Sequence, residues 1–303
     1  MLVTAAPTVL AEAEWTAREA AHHRRMDTWV VPHQERRRTG TAHPVLDFLF
    51  TYYSETPGRL RRWHPGAGTV LIGEAARDRL TWPLYTEVDV RTGDGDVVRG
   101  VGLDRPAFLA KRRAAAGWVE GLLSATAGRA GQFGCFGMHE WAMLYRPEDG
   151  EVRHALPLRL GQAGTDAVVE AHRVQCSHID AFRFFTRAGV PRNNLQPTRE
   201  TQQQLEQPGC LHATMDLYKW AYKLSPATPG ELLADCFALA ADVRELDMRA
   251  SPYDLSGHGY APVAVETPEG KAAYVAAQRG FAARGAVLRQ RLLAVCRDLL
   301  DEG

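Results

Sequence analysis

The sequence predicts an α+β fold that is predominantly helical and carries a small antiparallel β region. Three observations lead there. Apolar residues recur at helical spacing over long stretches towards both ends of the chain. Short β-like pieces separated by Gly, Asp and Pro turns are confined to the region of about 69–161. Thr-Pro pairs followed by an acid open two C-terminal segments, at Thr228-Pro229 and Thr267-Pro268, which is the order of residues that starts a helix.

At 303 residues the chain suits one large domain or two closely packed ones. The reading taken is a single compact domain over 1–303, with a β-rich insertion at about 69–161 and a helical C-terminal part at about 198–303. Hydrophobic residues make up 45% and charged residues 24%, the balance of a globular protein with a sizeable core. No run of about 18 apolar residues could span a bilayer, so no membrane partner is expected. Glu12, Glu14 and Arg18 interrupt the start of the chain and leave no secretory leader; the expected location is cytoplasmic. The 36 basic and 36 acidic residues cancel, which removes the global field that recruits polyanions but allows a local basic groove. Cys135, Cys176, Cys210, Cys236 and Cys296 show no C-x-x-C spacing, and reduced thiols are expected.

In chain order, Val9 to Arg25 reads as an amphipathic helix with His22 to Arg25 at its C-terminal end. Pro32 to Pro44 is polar and punctuated by Pro and Gly, the texture of a loop or mobile arm. His43 to Gly68 begins with a dense apolar and aromatic run, Leu46 to Tyr53, long enough for two or three helical turns, which Pro57-Gly58 ends or bends. Arg59, Arg61, Arg62, Trp63 and His64 then interleave cations with aromatic rings. That pattern suits stacking on a base beside a phosphate, or a core indole among wet arginines.

Val70 to Ile72, Tyr85 to Val90 and Val97 to Val101 read as strands, the last two joined by a Gly93-Asp94-Gly95-Asp96 turn. Pro106 to Ala127 is helical. Trp141 to Tyr145 and Val152 to Leu158 flank Pro147-Glu148-Asp149-Gly150 as a second hairpin. His139-Glu140 precedes it, and Met143 stands where a His-Glu-x-x-His metalloprotease helix requires its second His. That class is excluded.

Most of the chemically capable side chains fall between Cys176 and Tyr222. His178 and Asp180 are two apart and would share a face on a strand, whereas His212 and Asp216 are four apart and share a face on a helix. A carboxylate-held His is a general base, a metal ligand or a satisfied core residue. Convergence of these pairs with His43, His64 or His139 would make a metal or haem site. Between the pairs, Arg192, Asn193, Asn194, Gln196 and Arg199 belong to a loop able to read carboxylates, phosphates or base edges, and Thr201-x-x-Gln204 fits a capping box.

The segments HPVLDFLFTYY (43–53), RRWHPGAG (61–68), CSHIDAFRFF (176–185) and LDMRASPYDL (246–255) resemble those of an actinobacterial family labelled 3-methyladenine DNA glycosylase, over most of the chain. The resemblance implies a hydrolase that flips an alkylated base, stacks it on aromatic rings and breaks its N-glycosidic bond with the help of a carboxylate. On that reading DNA is the partner and no cofactor is needed. Asp180 or Asp216 is the carboxylate, with His178 and His212 beside them. Tyr52, Tyr53, Trp63 and Trp220 stack, and His64, Arg192 and Asn193 contact the substrate. The alternative is a His-dependent metal or haem oxidoreductase acting on a small aromatic molecule, with His178, His212, His139 or His43 as ligands. A non-enzymatic binding protein is the third class.

Overall fold

Helical periodicity and short β pieces resolve into fifteen segments of strand and α-helix among the described residues of the computed structural model, which describes residues 7–91, 96–148, 150 and 156–301. In order these are β1 (Thr8–Leu10), α1 (Glu12–Arg38), α2 (Phe48–Tyr52), α3 (Pro57–Leu60), β2 (Thr69–Leu71), β3 (Tyr85–Arg91), β4 (Val97–Leu103) and α4 (Arg105–Ala127). There follow α5 (Met138–Ala142), α6 (Gly161–Ala171), α7 (Ile179–Phe182), α8 (Gln202–Leu205), α9 (Leu211–Lys223), α10 (Gly230–Arg249) and α11 (Pro268–Leu300). The protein is 57% helical with one small mixed sheet. No helix among the described residues is long and apolar enough to cross a membrane.

The chain groups into two compact units, each discontinuous in sequence: 1–121, 218–238 and 288–303 in the first, 122–217 and 239–287 in the second. This grouping does not follow the divisions read from the sequence. Its boundaries fall inside α4, α9, α10 and α11, where no linker composition marks them.

In the first unit the sheet runs β1-β2-β4-β3. β3 and β4 form the expected antiparallel hairpin, from Tyr85 opposite Leu103 to Arg91 opposite Val97; the turn at Gly93-Asp94-Gly95 lies outside the described residues. β1 pairs parallel to β2, so the sheet is mixed rather than purely antiparallel. Gly100 permits the close approach of β2, since a Cβ there would lie 2.5 Å from the Leu71 carbonyl oxygen. Leu10, Trp15, Leu71, Tyr85 and Val101 pack together with Trp63 over this sheet, and Trp15 Nε1 donates to the Ile72 carbonyl at 3.1 Å.

The N-terminal helix is longer than expected and starts later. Residues 8–10 are strand, and α1 continues through Pro32 to Arg38 where a loop or mobile arm was predicted. Trp15, His22, Met26, Val30 and His33 are buried at spacings of seven, four, four and three, one continuous stripe that outweighs the lost backbone bond at proline. The polar end has a fixed partner: Asp47 takes a hydrogen bond from His33 Nδ1 at 2.8 Å and a fork from Arg36. Burial opposes the charge on Asp47, but these donors hold its carboxyl below the usual range. Because Pro32 is exposed, Pro32→Ala is expected to raise unfolding free energy by about 1–3 kcal/mol in urea denaturation.

Two proline-based expectations also change. Pro57 starts α3 rather than ending a helix, with the Thr56 hydroxyl accepting from the Arg59 amide at 3.3 Å. At α10 the capping box is not made. Glu231 Oε1 instead accepts from Trp63 Nε1 at 3.0 Å, and the buried Thr228 hydroxyl has no hydrogen-bond partner among the described residues. Thr267 does cap α11, accepting from the Gly270 amide at 3.1 Å.

Glu55, 8% exposed, has its pKa raised from 4.5 to about 7 by burial, with Arg59, Arg112 and Arg62 opposing. Below pH 4.5 both folded and unfolded states hold the proton; between about 4.5 and 7 only the folded state does. Stability therefore falls as pH rises through that window. Glu55→Gln is expected to remove that slope, about 2 kcal/mol after allowance for solvent screening, in chemical denaturation at pH 5 and pH 8.

In the second unit, the run predicted as the strand Trp141 to Tyr145 is helix and turn. Gly137, at φ 72°, opens α5, whose Met138, Trp141 and Ala142 are all buried; five apolar residues do not distinguish strand from buried helix. Residues 151–155 of the proposed partner strand lie outside the described residues, and Leu158 makes an isolated bridge to Tyr253. Thr201 sits at the N-cap of α8 without a capping bond, because its hydroxyl accepts from the Thr198 amide at 2.8 Å instead.

Candidate metal centre

Five helices, α5, α7, α8, α9 and α10, bring ionisable side chains together inside the second unit. α5 carries His139 and Glu140, α9 carries His212 and Asp216 one turn apart, and the last two turns of α10 carry Arg244 and Asp247. His178 directly precedes α7 and Glu206 directly follows α8. His139, Glu140, His212 and Asp247 each offer one ligand atom, all within 4.8 Å of one another, and His178, Glu206 and Asp216 form a second such group.

In the first group His139 Nε2 lies 2.8 Å from Asp247 Oδ1 and 3.9 Å from Glu140 Oε1. Arg244 Nη1 stands 3.5 Å from Asp247 Oδ2 and 3.9 Å from Glu140 Oε1. In the second, His178 Nε2 lies 3.1 Å from Glu206 Oε1 and 3.6 Å from Asp216 Oδ2, and Gln202 Nε2 donates to that same Glu206 oxygen. The His212 ring joins the groups, with its centroid 4.7 Å from that of His139 and 5.6 Å from that of His178.

Burial makes these groups act strongly on one another. His178 and Asp247 are 0% exposed and Glu206 and Asp216 2%. Burial opposes a charge on His139, yet the Asp247 carboxylate raises its pKa well above the ordinary value. Asp247 is likewise pushed up by burial but held low overall by His139. Burial and the neighbouring His139 drop His212 to about 3, so its imidazole is neutral, the form that binds metals. Burial and Asp247 lift Glu140 to about 7. Glu140, Asp247, Glu206 and Asp216 place four carboxyl groups in this interior, offset by Arg244 and by the charge that Asp247 favours on His139; a divalent cation could take the place of the shared protons. Burial raises the Cys176 and Cys210 thiols, and the two ligand groups found among the described residues offer nitrogen and oxygen donors. All five cysteines are free.

The predicted pairs exchange partners. The Asp180 carboxylate is held by Arg199 and, at 3.2 Å, by Arg183 Nε. Asp180 lies within α7 rather than on a strand continuing from His178, so the face that two strand residues would share is lost. Asp216 meets His178 and Glu206 rather than pairing with His212 alone. Arg192 Nη2 donates to the Val169 and Glu170 carbonyls at 3.0 Å, and Asn193 accepts from the Cys176 amide and donates to the Cys176 and Leu195 carbonyls. Both brace a loop, and Asn193, 4% exposed, is closed to substrate.

The remaining predicted residues belong to the first unit. Trp63 is fully buried and Trp220 and Tyr53 nearly so, so none of the three offers a free face to a base. Trp220 packs against Trp118 at 5.2 Å and Tyr53 edge-on to Tyr218 at 5.2 Å. Tyr52 stacks on Phe48 at 4.9 Å, and His64 Nδ1 lies 2.8 Å from the Tyr85 hydroxyl. His43 Nδ1 accepts from the Val45 and Leu46 amides, a turn-capping role.

Glu206 and Asp247 escape sequence reasoning, and Glu140 is set aside with the protease motif. One signal was available for Asp247: with Arg244 it puts an acid and a base, three apart, on a helix face otherwise filled by Val243, Leu246 and Met248. Glu206, in a loop between α8 and α9, carries none. Fold and site together define a helical α+β protein with a buried imidazole–carboxylate centre. Comparison of the chain with protein-family models, curated proteins and solved structures finds no match.

Proposed function

We propose that the protein is a metal-dependent oxidoreductase acting on a small organic molecule, with non-haem divalent ions held by these two groups. His139, His212 and Asp247, with Glu140, would hold one ion, and His178, Glu206 and Asp216 a second. The observation that carries the reading is the convergence of three imidazoles and four carboxyl groups in a nearly dry interior, where ionised groups are costly unless paired or bound to metal. Two imidazoles with a carboxylate suit iron(II) and related first-row ions, whereas haem needs an axial His and few acids. A bound redox-active ion supplies electron transfer. The chain's own residues exclude water, keep His212 neutral and place Arg244 where it offsets the carboxylates.

Elemental analysis and the absorption spectrum of purified full-length protein test this in one step. Stoichiometric iron or manganese without a Soret band is the expected result. Zinc alone would move the activity from redox to hydrolytic chemistry. Metal-free protein that releases 3-methyladenine from alkylated duplex DNA, and loses that activity in Asp216→Asn, would overturn the reading in favour of the base-excising hydrolase implied by the sequence resemblance.

A further inference from the structure

A second concentration of charge lies in the first unit. A cavity of about 190 Å³ is lined by Glu55, Arg59, Arg62, His64, Trp82 and Arg112 together with the Tyr222–Pro226 turn. Arg112 is fixed on its rim, with Nη1 donating to the Lys223 and Ser225 carbonyls at 2.9 and 3.0 Å. Arg62 lies 5.4 Å over the Trp82 ring. Neither Arg59 nor Arg62 pairs with a carboxylate among the described residues, and Glu55, which all three guanidiniums influence electrostatically, forms no ion pair with any of them. Three cations that face a shared small space beside a single carboxyl, with which none of them forms an ion pair, are a receptor for an external anion.

We propose that this cavity binds a small phosphate monoester, its oxygens taken by Arg59, Arg62 and Arg112 and by the carboxyl of Glu55. Three guanidinium forks outnumber what the two oxygens of a carboxylate can accept, while the three terminal oxygens and double charge of a phosphate monoester match them. Burial raises the Glu55 pKa to about 7, so below that pH its carboxyl holds a proton that it can donate to a phosphate oxygen. Tyr85 holds His64 and burial takes its pKa down to about 3, so the imidazole adds no charge and serves as a neutral wall. The cavity volume limits the organic part to roughly the size of one ring.

Isothermal titration of the full chain with phenyl phosphate tests the assignment. Saturable binding is expected, weakened about tenfold by Arg59→Ala and by Arg62→Ala. Both side chains are exposed and form no ion pair among the described residues, so these variants are expected to fold. Arg37→Ala, another exposed arginine, is expected to leave binding unchanged, and benzoate to bind about tenfold more weakly than phenyl phosphate. Absence of saturable binding, equal loss in Arg37→Ala, or benzoate binding as tightly as phenyl phosphate would overturn the proposal. A 5′-phosphorylated trinucleotide binding more tightly than phenyl phosphate would overturn the small-molecule assignment and place the end of a nucleic acid in the cavity.

Discussion

His139→Ala and His212→Ala are each expected to abolish stoichiometric metal in the first ligand group, read by elemental analysis of purified protein. Removing His139 takes away the imidazole 2.8 Å from Asp247, and removing His212 takes away the neutral ring that touches both other histidines. A ligand present at about a thousand times its dissociation constant stabilises a fold by about 4 kcal/mol. Chelation of the wild type should therefore lower its melting temperature by several degrees, and chelation of either variant should change it little. Asp180→Asn is the control. Its carboxylate answers to Arg199 and Arg183, so metal content should stay at the wild-type level. A chelator-insensitive wild type whose metal content equals that of both histidine variants would sink the metal reading.

What could be read from the sequence divides along a physical line between local and non-local information. The β3–β4 hairpin, α4, α11 and the long helix after Thr228 all follow from periodicity and punctuation within a few residues. Pro32 misleads because the stripe from Trp15 to His33 stabilises its helix from outside the local window. Trp63 misleads differently: an indole among arginines looks like a stacking platform, yet its partner is Glu231, 168 positions away. The site shows the same limit. His139, His178 and His212 are recognisable as residue types that ligate metals, but their partners are not. Sequence proximity suggested Asp180 for His178, and the fold supplied Glu206 and Asp216. For His139 it supplied Asp247, 108 positions on. Unit boundaries inside continuous helices leave no compositional trace for the same reason.

Asp247→Ala is expected to be the most destabilising single substitution at the centre, by about 3–5 kcal/mol, measured by urea unfolding in the presence of chelator so that metal loss does not contribute. Asp247 is fully buried and faces His139 at 2.8 Å and Arg244 at 3.5 Å. Truncating it leaves the Arg244 guanidinium and the His139 imidazole in a dry interior without the carboxylate that faces both. Asp247→Asn should cost less, about 1–3 kcal/mol, since the amide oxygen still accepts from His139 while the charge is gone. A double-mutant cycle with Arg244→Met separates the two contributions. If Asp247 serves chiefly to neutralise Arg244, the pair should be much less destabilised than the sum of the single changes. If it serves chiefly to hold His139, the costs should add. Additive costs would make Asp247 a positioning group for the His139 imidazole, and a coupled pair would make the Arg244–Asp247 contact a structural ion pair beside the site.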